Sequence, residues 1–62
     1  MTYDALLKEG IERLKAAGIE DAACDARQLM EAAGGPDITH FPLVREEEAS
    51  DGVLFMFDAY IG

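Results

Sequence analysis

The stretch AAGIEDAACDARQLMEAAGGP, residues 16–36, decides the fold. It holds one whole helix with both of its boundaries. Gly18 supplies a left-handed stop for the helix that precedes it. Asp21 stands where a second helix begins, as a capping residue for its first free N–H groups. Ala22, Ala26, Leu29, Met30 and Ala33 then recur at helical spacing, and three of these five are alanine. Such a stripe lets a helix pack backbone against backbone. Gly34-Gly35-Pro36 ends it at about Ala33, because glycine accepts the left-handed turn and proline cannot continue the hydrogen-bond ladder.

Upstream, Thr2 caps a first helix and Asp4 sits in its first turn, where the helix dipole favours negative charge. Tyr3, Leu7, Ile11 and Leu14 make its apolar stripe, with Leu6 beside them. Asp4–Lys8 and Glu9–Arg13 are acid-then-base pairs one turn apart on the outer face. Gly10 costs this helix about 1 kcal/mol against alanine, a cost that a close helix approach would offset.

Downstream, Pro36 and Asp37 open a short turn carrying Ile38 and Phe41, which Pro42 closes. Glu46-Glu47-Glu48 reads as the acidic first turn of a third long helix. Ala49, Val53, Met56, Phe57 and Tyr60 continue it on one face, with Gly52 weakening its middle. A strand over 53–57 is the rival, but a lone strand has nothing to pair with. The expectation is one domain over residues 1–62, all-α, a small bundle of three main helices plus a short helical turn.

Length and charge narrow the function. A chain of 62 residues buries about 60% of the surface its unfolded form exposes, so a two-substrate enzyme with its own cofactor fold is almost excluded. Thirteen acidic residues against five basic ones give a net charge of −8. That sign disfavours nucleic acid and anionic membranes as partners, since both repel it. It suits a basic protein. One cysteine, Cys24, makes no internal disulfide, which fits a reducing, cytoplasmic setting. The longest run of large apolar residues, 53–57, is far too short to span a membrane.

Catalytic chemistry is absent from the pattern. Cys24 and His40 are the only soft metal ligands and lie 16 positions apart, whereas zinc needs three or four ligands. Glu46-Glu47-Glu48 lacks the alternation of a calcium loop and reads as a solvated helix start. Cys24 is expected to be a semi-buried structural thiol rather than a nucleophile, and His40 a loop or packing residue near Phe41. No phosphate loop, dinucleotide glycine pattern or nucleophile elbow occurs. Acyl carrier proteins share the size and acidity, but the only serine context, Ala49-Ser50-Asp51-Gly52, has the wrong order for a prosthetic-group site. Catalytic, cofactor-binding and metal residues are therefore not assigned in this chain.

Ala5-Leu6-Leu7, Leu14, Ala17-Gly18-Ile19, Ala22, Asp25-Ala26-Arg27-Gln28-Leu29-Met30 and Gly34-Gly35 follow one another in a familiar order. The order resembles the N-terminal helical domain of the release factor glutamine methyltransferases, the HemK/PrmC family. The resemblance implies a larger parent protein. Its Rossmann-like domain would bind S-adenosylmethionine and, with an Asn-Pro-Pro-Tyr motif, methylate the glutamine of the Gly-Gly-Gln motif in class I peptide chain release factors. Neither that motif nor a glycine-rich cofactor loop lies in these residues. The chain is accordingly read as an N-terminal domain without its catalytic domain, whose part is to help grip and position the release factor. Whether to call the chain itself an enzyme is left open.

The partner-binding candidates are Asp25, Arg27, Glu46, Glu47 and Phe55. Asp25 and Arg27 face different sides of one helix; Arg27 can reach Glu31, and Asp25 can reach a base on the first helix or a partner. Phe55 points about 160° away from Phe57 at ~100° per residue, so an apolar side chain stays outside the core. It would cover the catalytic domain, pack on the short turn or join two copies in a weak homodimer. The alternative reading is a stand-alone acidic helical adaptor that binds another protein through that face.

Overall fold

The computed structural model describes all residues, Met1–Gly62, and shows four helices. They are α1 (Tyr3–Ala16), α2 (Ala22–Ala32), the short α3 (Phe41–Val44) and α4 (Asp51–Ile61). The three long helices pack pairwise on one another, so the all-α bundle with a short extra turn is what the chain forms.

Both stops in the 16–36 stretch are built alike. Gly18 and Gly34 carry positive φ, 86° and 92°. At each, the glycine N–H donates to the carbonyl three residues back and the following N–H to the carbonyl five residues back: Gly18 to Lys15 with Ile19 to Leu14, and Gly34 to Glu31 with Gly35 to Met30. These bonds satisfy carbonyls that the helix leaves free. Asp21 does occupy the N-cap position of α2, but its side chain makes no capping hydrogen bond. Its ψ of 49° departs from the extended backbone found at the other two capped starts.

The core is Leu6, Leu7 and Leu14 from α1, Ala22, Ala26 and Met30 from α2 with Ala33 at its C-cap, and Ala49, Val53 and Phe57 from the C-terminal part. Ala22 and Ala26 are 2% and 0% exposed, among the most deeply buried residues of the chain. Phe57 is 1% exposed and is, with Met30, one of the two largest fully buried side chains. Its ring lies over Gly10: a Cβ there would stand 2.6 Å from Cε2 and closer still to Cζ. The missing side chain of Gly10 is what lets α4 lie against α1.

Five local expectations are corrected. The third long helix starts at Asp51, not at Glu46. Ser50 caps it, its Oγ accepting from Val53 N at 3.3 Å. Residues 45–49 instead form a strap across the start of α1. Tyr3 N donates to Glu47 O, Asp4 N to Arg45 O, and Ala49 N to Met1 O, all within 3.0 Å. The strap supplies acceptors for helix N–H groups that no intrahelical carbonyl can reach, and Thr2 Oγ1 takes the N–H of Ala5. A helical register from Glu46 would withdraw those carbonyls.

Pro42 lies inside the first turn of α3 rather than closing a turn before it. A proline there gives up an N–H that the first turn leaves free in any case. On α4, Val53 and Phe57 are buried and Leu54 and Ile61 pack at the core's edge, whereas Met56 and Tyr60 are 37% and 44% exposed. Gly52 sits in the first turn, with open space around it. Finally, Arg13 pairs with Asp58 of α4 instead of Glu9 on its own helix, tying α1 to α4 beside the Phe57 contact.

Gly10→Ala tests the close approach against helix propensity. Alanine alone would favour the helix by about 1 kcal/mol, but overpacking against the Phe57 ring costs typically 1–3 kcal/mol. Urea unfolding is expected to show net destabilisation. Gly52→Ala, in open space, is expected to stabilise by about 0.4–1 kcal/mol.

Candidate functional site

The largest concavity is an open groove of about 540 Å³ between α1, α2 and the 36–45 segment. Leu7 and Ile11 of α1, Ile38 and Phe41 line it together with Pro36 and Pro42. Lys8, Arg27 and Arg45 stand around it with Asp4 and Asp37. A smaller recess of about 230 Å³ continues along α2 past Cys24, Gln28 and Glu31, sharing Arg27 and Ile38.

The local structure fixes most of these charges. Asp4 is held at the start of α1, where Lys8 Nζ lies 3.0 Å from one carboxylate oxygen and Arg45 Nη2 2.8 Å from the other. The Lys8 hydrogen bond, with the charges of Arg45 and Lys8, holds the Asp4 carboxyl below the usual carboxylate range despite partial desolvation. Asp37 accepts from the backbone N–H of His40 at 2.8 Å and meets the His40 ring nitrogen at the same distance. These two contacts, backbone first, lower its pKa as well. The turn they close brings Phe41 N to Asp37 O and starts α3.

Of the sequence candidates, only Arg27 lines the groove. Glu46 is linked to its rim through a loose 3.9 Å contact with Arg45. Glu47 is exposed on the strap, Asp25 is half-buried on α2, and Phe55 is 73% exposed on α4. The five residues do not form one site. The anticipated Arg27–Glu31 pair does not form, and Asp25 meets no base on α1. Cys24 is exposed, not semi-buried, with the Gln28 side-chain amide 3.5 Å from its sulfur. His40 is exposed in its loop. Sequence reading missed Arg45 as the bridge from the strap to Asp4. The signal available was an arginine placed directly before the acidic triplet.

Both carboxylates that line the groove are already engaged, Asp4 by Lys8 and Arg45 and Asp37 by His40. No three His, Cys, Asp or Glu side chains group as a metal site requires. No helix is long and apolar enough to cross a membrane.

Comparison with known proteins places the chain in a family. The family model described as the PrmC N-terminal domain matches residues 5–62. The chain belongs to the PrmC N-terminal domain family. No curated protein and no solved structure matches it. The PrmC match covers the strap and α4 as well as the 16–36 stretch, so it spans the whole bundle, including the part whose residues carried little of the resemblance. The chain is therefore the N-terminal domain of a methyltransferase of this family.

The depressed pKa of Asp4 gives a pH prediction. A carboxylate whose folded pKa lies below its unfolded value stabilises the fold above the unfolded pKa, near 3.9. That contribution is lost as pH falls through the folded pKa. Nuclear magnetic resonance titration of Asp4 is expected to give a midpoint below that of an ordinary aspartate. Arg45→Gln is expected to move the midpoint upward.

Proposed function

We propose that this domain is the substrate-recognition part of a protein-(glutamine-N5) methyltransferase that modifies the Gly-Gly-Gln glutamine of class I release factors. The observation that carries the reading is the family match over residues 5–62. In the parent protein the catalytic domain supplies S-adenosylmethionine and the methyl transfer. This bundle binds the release factor and holds it against that domain, in the cytoplasm where translation ends.

Electrostatics supports the assignment. Glu9, Glu12, Glu20, Asp21, Asp25, Glu31, Glu47 and Asp51 have no ion pair. A protein that works on the RNA-rich ribosome carries basic surface, which such a field attracts and orients at long range. The exposed Phe55 favours a second reading, a protein-binding adaptor face on α4. Within the first reading the same face meets the catalytic domain.

Removing residues 1–62 from the parent enzyme tests the division of labour. The expected result is a KM for intact release factor raised at least about tenfold, which corresponds to roughly 1.4 kcal/mol. Turnover of a short Gly-Gly-Gln peptide should stay unchanged. Equal loss on protein and peptide would assign the bundle to folding of the catalytic domain instead. The release-factor KM should also rise with ionic strength, because the acidic field is screened.

A further inference from the structure

We propose that the groove between α1, α2 and the 36–45 segment docks a short apolar segment of a partner protein that carries a carboxylate, and that Arg27 receives that carboxylate. This goes beyond the release-factor reading, which calls on the acidic surface and a basic partner. The two stand or fall separately.

The charge distribution is the first support. The chain carries −8, yet three of its five cations, Lys8, Arg27 and Arg45, line this one groove. Its two carboxylates are already satisfied, Asp4 by Lys8 and Arg45, and Asp37 by His40. Arg27 differs from the other two cations. It makes no ion pair and no side-chain hydrogen bond, although Glu31 stands one turn along the same helix. A guanidinium presents a planar fork of donors that fits a carboxylate bidentately. Among thirteen acidic residues, none takes this one.

The second support is the apolar lining. Leu7, Ile11 and Phe41 offer a floor, and Ile38, 70% exposed, forms an edge shared by the groove and its extension along α2. The volume of about 540 Å³ lies within the roughly 300–1,000 Å³ of clefts that hold ligands. Apolar floor and free cation together select a segment with apolar anchors and a nearby carboxylate, the pattern of an amphipathic helix seated in a groove. A second copy of this chain is disfavoured as occupant, since two bodies of −8 repel on approach.

The test uses the isotope-labelled chain and three capped amphipathic peptides of about ten residues, with leucines at helical spacing. They are identical except that the polar positions near the leucines are glutamate, glutamine or lysine. The expected result is saturable shifts at Leu7, Ile11, Ile38 and Phe41 with the glutamate peptide, and affinity weaker by about tenfold with glutamine. Arg27→Glu should abolish the preference for glutamate, and Arg27→Lys should keep most of it. Arg27 is exposed and unpaired, so neither variant threatens the fold. The proposal is overturned if no peptide binds at about millimolar concentration, if glutamine binds as well as glutamate, or if the shifts fall on the Phe55 face. It is equally overturned if the groove residues shift with protein concentration alone, which would make a second copy the occupant.

Discussion

The bundle depends on one contact, the Phe57 ring laid on the bare backbone of Gly10. A buried phenylalanine contributes about 1.5–3 kcal/mol, a large share of the stability available to a domain of this size. The contact also sets where α4 lies. With Phe57 seated, Ile61 comes within reach of the same glycine, Asp58 meets Arg13, and Val53 faces the core. The glycine that weakens α1 as an isolated helix is the residue that makes α1 a surface for α4.

The second constraint is the free start of α1. Its first N–H groups need acceptors, and the strap at 45–49 provides two backbone carbonyls while Thr2 provides a hydroxyl. The acidic triplet is thereby kept out of helix, although Glu46-Glu47-Glu48 has the composition of a helical first turn. The same arrangement turns Arg45 onto Asp4 and makes one wall of the groove. A tertiary demand for hydrogen-bond acceptors thus shapes both the last helix boundary and the principal concavity.

These two constraints explain what was legible in the sequence. The 16–36 stretch was readable because its signals are local: two glycines accept positive φ, and the alanine stripe needs only helical period. Gly10 was legible as a candidate for close approach, but not its partner, since the ring comes from 47 positions away. The start of α4 was misread because its competitor is a contact with the far end of the chain. The packing of Leu54 and Ile61 at the core's edge in place of Met56 and Tyr60 follows from the same helix rotation, set by Phe57. Among the candidate site residues, Arg27 was found from a local motif. Its setting was not, because Lys8 and Arg45 join it only when three segments fold together.

The surface that results has two characters of opposite sign. Unpaired carboxylates cover α1, α2 and the strap, while the groove between them gathers most of the cations around apolar side chains. Long-range charge attracts a basic partner without fixing its pose, because the interaction weakens slowly with distance and is shared among many carboxylates. A groove fixes pose, because apolar burial and a single guanidinium act only at contact. A surface of the first kind draws a partner in, and one of the second kind orients what it binds. Lys8 and Arg45 are both paired locally with the single carboxylate of Asp4. Arg27 is left as the one groove cation free to act outward.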